Sequence, residues 1–94
     1  MGTLIYGHAL QLEVDDRTLQ HVGHVVFAKL RKQEAFPLVC VSRDSGESVS
    51  LWISRDISVG FRVSQPDGGE LCGELVTDLM RRASTARGLV IETE

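Results

Sequence analysis

The stretch "DDRTLQHVGHVVFAKLRKQ", Asp15 to Gln33, decides how the rest of the chain can fold. Leu19, Val22, Val26 and Leu30 recur in it at helical spacing, the period of one apolar stripe facing a core. Asp15 or Asp16 can cap the helix start, where its charge also complements the positive end of the helix dipole. Arg31 and Lys32 place two cations in the last turn, at the negative end. The segment therefore reads as an amphipathic helix, with strands expected on either side of it.

Upstream, Leu4 and Tyr6 share one face of "TLIY", and Leu10, Leu12 and Val14 alternate with Gln11 and Glu13 in "ALQLEV". Gly7-His8 between them suits a two-residue type II′ hairpin. Downstream, "FPLVCVSR" (Phe36 to Arg43) has apolar side chains on both faces and reads as an interior strand. Asp44-Ser45-Gly46-Glu47 is a turn, after which Val49, Leu51 and Ile53 point one way and Ser50, Trp52 and Ser54 the other. Past a corner at Arg55-Asp56, Ile57, Val59, Phe61 and Val63 alternate with polar or small residues as a further half-buried strand. "SQPDGGE" is a loop, and Leu71, Leu75, Leu79 and Ala83, four apart, mark a second helix over 71–86 that Gly88 stops. "LVIE" (Leu89 to Glu92) ends the pattern as a strand. The order ββαβββαβ predicts an α+β two-layer sandwich, an antiparallel-rich sheet with two helices on one face.

"HVGH", in the middle of the first helix, raises the question of metal binding. His21 and His24 lie about 60° apart on the helical wheel, near Arg17 and Arg31 and opposite the apolar stripe. The pair is therefore expected to face water or a partner. Zinc needs three or four ligands with a supporting shell, and here two histidines sit beside cations that repel a metal ion. No metal and no cofactor is expected.

The totals exclude several functions. Ninety-four residues, 43% hydrophobic and 24% charged, suit one small globular domain over 1–94. No apolar run reaches the ~18 residues of a membrane span, and "MGTLIYGHAL" has neither a basic n-region nor a small-residue cleavage site. Cys40 and Cys72 read as reduced thiols in a cytoplasmic protein. A net charge of −3 argues against a broad electrostatic grip on nucleic acid. Phosphate loops and the GxSxG elbow are missing; Gly68-Gly69 precedes a helix, but Glu70 in its first turn opposes an anion. No catalytic residue is assigned, and the chain reads more readily as a non-enzyme.

Trp52 is the strongest lead. It lies on the sheet face away from the helices, together with Val39 and Val41 or with Leu38 and Cys40; Ile5 and Val90 are candidates to join. Two helices leave one side of a sheet without cover, and an uncovered apolar patch around a tryptophan usually marks an interface. The favoured function is a non-enzymatic interaction module, self-associating through Trp52, Val39, Val41 and Ile5. Its partner is a second copy or another protein. The first alternative is a nucleic-acid-associated accessory factor using Arg17, His21, Arg31 and Lys32 as a basic helix face. The second is a small enzyme or ligand binder with a pocket between helix and sheet.

The blocks "MGTLIYG", "DDRTLQH", "AKLRKQEAF" and "LWISRDI", in that order, resemble an uncharacterised family of actinobacterial proteins of about this length. Asp15, Asp16, Arg17, His21, Lys29, Leu30, Arg31, Glu34, Phe36 and Trp52 match its pattern; at position 24 the family implies an apolar residue, where this chain has His24. Some members carry an automatic label of ATP-dependent DNA ligase. Ligases of that type need a lysine nucleophile in a KxDG motif, whereas Lys29 opens "KLRK" and Lys32 opens "KQEA". The resemblance implies no active site that these residues can supply.

Overall fold

A computed structural model describes residues 1–64 and 71–94. The loop expected in "SQPDGGE" and the Gly68-Gly69 pair fall mostly or wholly outside the described residues. The elements are β1 (Gly2–Tyr6), β2 (Leu10–Val14), α1 (Asp16–Arg31), β3 (Phe36–Ser42), β4 (Ser48–Ile53), β5 (Val59–Arg62), α2 (Gly73–Ala83) and β6 (Leu89–Thr93). The α+β order ββαβββαβ stands, but the strands divide between two three-stranded sheets where the sequence pattern suggested one layer.

The first sheet runs β2-β1-β5 and is antiparallel throughout. The second runs β4-β3-β6, with β4 antiparallel and β6 parallel to β3. A parallel neighbour requires a long crossover, and α2 lies in the connection that brings β6 back beside β3. The sheets adjoin along β2 and β6, where Glu94 N–H donates to the Glu13 carbonyl at 2.9 Å. Buried side chains from both sheets and both helices form one cluster, including Leu4, Val22, Leu38, Ile53, Leu79 and Leu89.

Two turns differ from expectation. Tyr6 pairs with Leu10, so the hairpin loop has three residues rather than two, with Gly7 at φ +65°. α2 begins at Gly73, because Cys72 is still extended, and Leu71 is left exposed. At its far end Gly88 takes φ +84°, and a Cβ there would lie 2.4 Å from the Pro37 carbonyl oxygen, so only glycine fits.

The buried arc of α1 is wider than its apolar stripe. Besides Leu19, Val22 and Val26 it buries His21, Val25 and Lys29, a second stripe spaced four apart that faces α2. His21, expected on the surface, is 1% exposed. The backbone N–H of Cys72 donates to its Nε2 at 2.9 Å, and its Nδ1 lies 2.8 Å from the Arg17 carbonyl. An amide can only donate, so Nε2 must be the bare nitrogen and Nδ1 must carry the proton given to Arg17. The ring is thus a neutral bracket on the N-cap of α2. Lys29 does the same at the other end, donating to Ser84 Oγ, at the C-cap of α2, at 3.0 Å. Its ammonium also pairs with Glu34 at 2.9 Å and sits 5.9 Å from the Phe36 ring centroid.

The C-terminus of α1 explains that pairing. Gln33 N–H bonds the Leu30 carbonyl and Glu34 N–H the Lys29 carbonyl, which is a Schellman motif. Its left-handed position is Gln33, at φ 60°, where glycine is usual. The hydrophobic contact that normally spans such a motif is replaced by the Lys29–Glu34 ion pair.

Candidate interaction surface

β3 alternates strictly. Phe36, Leu38 and Cys40 point inward and are at most 2% exposed, while Pro37, Val39 and Val41 point outward and are half-buried. This settles which alternate set shares the face of Trp52: it is Val39 and Val41, not Leu38 and Cys40. Burial pushes the inward Cys40 thiol up to about 11, which fits its place as a core side chain.

Register builds the outward face. Trp52 of β4 lies opposite Pro37; Val39 lies between Ser50 and Val90; Val41 lies between Ser48 and Glu92. Trp52 is 56% exposed and Val90 36%. The centre of this face carries no charge. Its charges sit at one rim, where Arg43 Nε meets Glu92 at 3.0 Å and Arg43 Nη1 meets Glu94 at 3.7 Å. The hydrogen bond that it donates to Glu92 raises the Arg43 guanidinium above its ordinary value. At the opposite end Tyr6 donates its hydroxyl to the Trp52 carbonyl at 2.8 Å, tying the exposed strand to the first sheet.

The residues named from sequence separate. Trp52, Val39 and Val41 come together, with Val90 beside them. Ile5 does not join; it lies on β1 of the other sheet, between Gln11 and Gly60. Pro37 belongs to the face and was missed, although its parity with Val39 and Val41 was the signal. The basic helix face is broken as well. Arg17, Arg31 and Lys32 are exposed, but His21 is inside, because α2 covers that flank of α1. Arg17 and Arg31 stand about 21 Å apart along the helix, at 1.5 Å per residue. Among the described residues no three His, Cys, Asp or Glu side chains are placed to hold a metal ion.

A cleft of ≈ 230 Å³ does lie between the helices and β6, floored by Val22, Leu75, Leu79 and Ile91. Asp15, Arg43, Glu92 and Glu94 stand around it. His21 reaches it with both ring nitrogens committed, and no described buried side-chain polar atom is left without a partner.

A family model described as a domain of unknown function (DUF7882) matches residues 1–94, the whole of this chain. The chain belongs to the DUF7882 family. Comparison with curated proteins and with solved structures returns no match. None of the chain's described helices is long and apolar enough to cross a membrane.

Proposed function

We propose that this DUF7882 chain is a non-enzymatic interaction module that self-associates through the outward face of its second sheet. The supporting observation is Trp52, 56% exposed, with Pro37 opposite it, Val39, Val41 and Val90 on the same face and no charge at the centre. Tryptophans at such positions dominate binding energy, typically by ~2 kcal/mol or more on truncation. The patch is also self-compatible. A two-fold dimer sets the same surface against itself, and an uncharged centre brings no like charges together. An actinobacterial source and a cytoplasmic setting belong to this reading, supported by the sequence blocks and the two cysteines left as free thiols.

The chain has one tryptophan, so its fluorescence reports on this face alone. Raising the protein concentration is expected to shift Trp52 emission to the blue and to shield it from acrylamide. Emission that stays red and fully quenchable at every concentration would contradict the proposal.

A further inference from the structure

We infer that a second surface, the groove at the C-terminal end of α1, takes a short acidic peptide segment with an apolar anchor. The groove is lined by Phe27, Leu30, Arg31, Gln33 and Arg55, with a volume of ≈ 530 Å³. Phe27 and Leu30 are its apolar residues. Phe27 is 49% exposed, yet its ring is held edge-on against Phe61, with centroids 5.4 Å apart and planes at 85°. Phe61 in turn packs over Gly23, where a Cβ would already touch the ring at 3.4 Å. An aromatic side chain pinned from below and open above is a preorganised anchor site, with little entropy left to lose on binding.

Charge names the occupant. Lys29, Arg43, Arg81 and Arg82 each hold a carboxylate, but Arg31 and Arg55 have none within ion-pair distance among the described residues. Lys32 is exposed one residue beyond Arg31. Glu34, the acid nearest Arg31 in sequence, is already committed to Lys29, and Asp56, next to Arg55, makes no ion pair with it among the described residues. The negative end of the α1 dipole amounts to only about half a charge, and it is outweighed by these cations. Two guanidiniums beside one apolar platform match carboxylates flanking one apolar side chain, since guanidinium and carboxylate can pair through two parallel hydrogen bonds.

A long polyanion fits less well. The chain carries −3 overall, so outside this cationic patch its surface is more negative still. Beyond about one Debye length, ~10 Å, a nucleic acid strand would leave the patch and face that repulsion. A peptide with a few carboxylates ends where the cations end. This inference does not depend on the Trp52 face.

The test uses the full chain and a fluorescein-labelled peptide with one phenylalanine between two pairs of glutamates. Fluorescence anisotropy at low salt is expected to show saturable binding that weakens as salt rises. Arg31→Glu with Arg55→Glu should weaken it at least about tenfold, as for loss of opposed charges. Both arginines are exposed, so circular dichroism should report an unchanged fold. Phe27→Ser should weaken binding too, and Trp52→Ser should leave it unchanged. A glutamine-for-glutamate peptide should not bind. The inference is overturned by no binding of the acidic peptide, by binding indifferent to the arginine substitutions, or by tighter binding of oligothymidylate. It is equally overturned if those substitutions change the sedimentation coefficient instead, since a second copy would then occupy the groove.

Discussion

The two sheets are built alike on the inside and differently on the outside. Each presents to the core a fully buried leucine on its central strand, Leu4 in β1 and Leu38 in β3. On the outward side, half-buried Ile5 of the first sheet stands between Gln11 and Gly60, and Thr3, itself buried, between Glu13 and Arg62. Thr3 even donates its hydroxyl to Glu13 at 3.2 Å. An isolated isoleucine in such company needs no explanation. The second sheet sets Trp52, Pro37, Val39, Val41 and Val90 side by side instead. The inward faces are alike, and the outward faces differ in how much apolar surface they gather.

That contrast can be broken first on one strand. Leu38→Ala should cost about 3 kcal/mol in urea unfolding, from lost transfer energy and the cavity left. Val39→Ala, one residue on but outward, should cost the monomer less than about 1 kcal/mol and act on association instead. Equal losses at the two positions would mean that the outward face is part of the folding core.

His21→Ala should cost about 2 kcal/mol, because the Cys72 N–H loses its acceptor. Hydrogen exchange at Cys72 and the first turn of α2 should quicken, while the outer face of the second sheet keeps its protection. Gln33→Gly should stabilise by about 0.5–1 kcal/mol, since the left-handed conformation at φ 60° favours glycine; a higher melting temperature reads it out. The smallest effect is electrostatic. The hydrogen bond from Lys29 lowers the Glu34 carboxyl below its ordinary value of 4.5. A depressed acid stabilises the fold above that unfolded value, and the contribution disappears as pH falls through the lowered one. The stability gap between wild type and Glu34→Gln should therefore close on acidification below about pH 4.5.

Most of the element order was legible, because Leu19, Val22 and Val26, or Leu10, Leu12 and Val14, repeat at the period of their own element. What was not legible came from contacts between elements. A wheel drawn for α1 alone puts His21 opposite the core; only α2, arriving some fifty residues later, turns that flank into interior. The split into two sheets was hidden for the same reason, since strand faces can be read locally but strand partners cannot. Parity grouped Val39 with Val41, but only the register of β3 on β4, with Pro37 opposite Trp52, decides that this set and not Leu38 and Cys40 shares the face of Trp52. Ile5 shares an outward parity but not a sheet, and periodicity does not say which sheet a strand joins.

Sedimentation equilibrium of the wild type, Trp52→Ser and Ile5→Ser, over concentrations spanning ~1 µM to ~1 mM, tests the central claim most directly. The account predicts concentration-dependent dimerisation of the wild type and of Ile5→Ser, weakened at least tenfold by Trp52→Ser, about 1.4 kcal/mol or more. A wild type that remains monomeric throughout, or a dimer indifferent to Trp52→Ser, would contradict it.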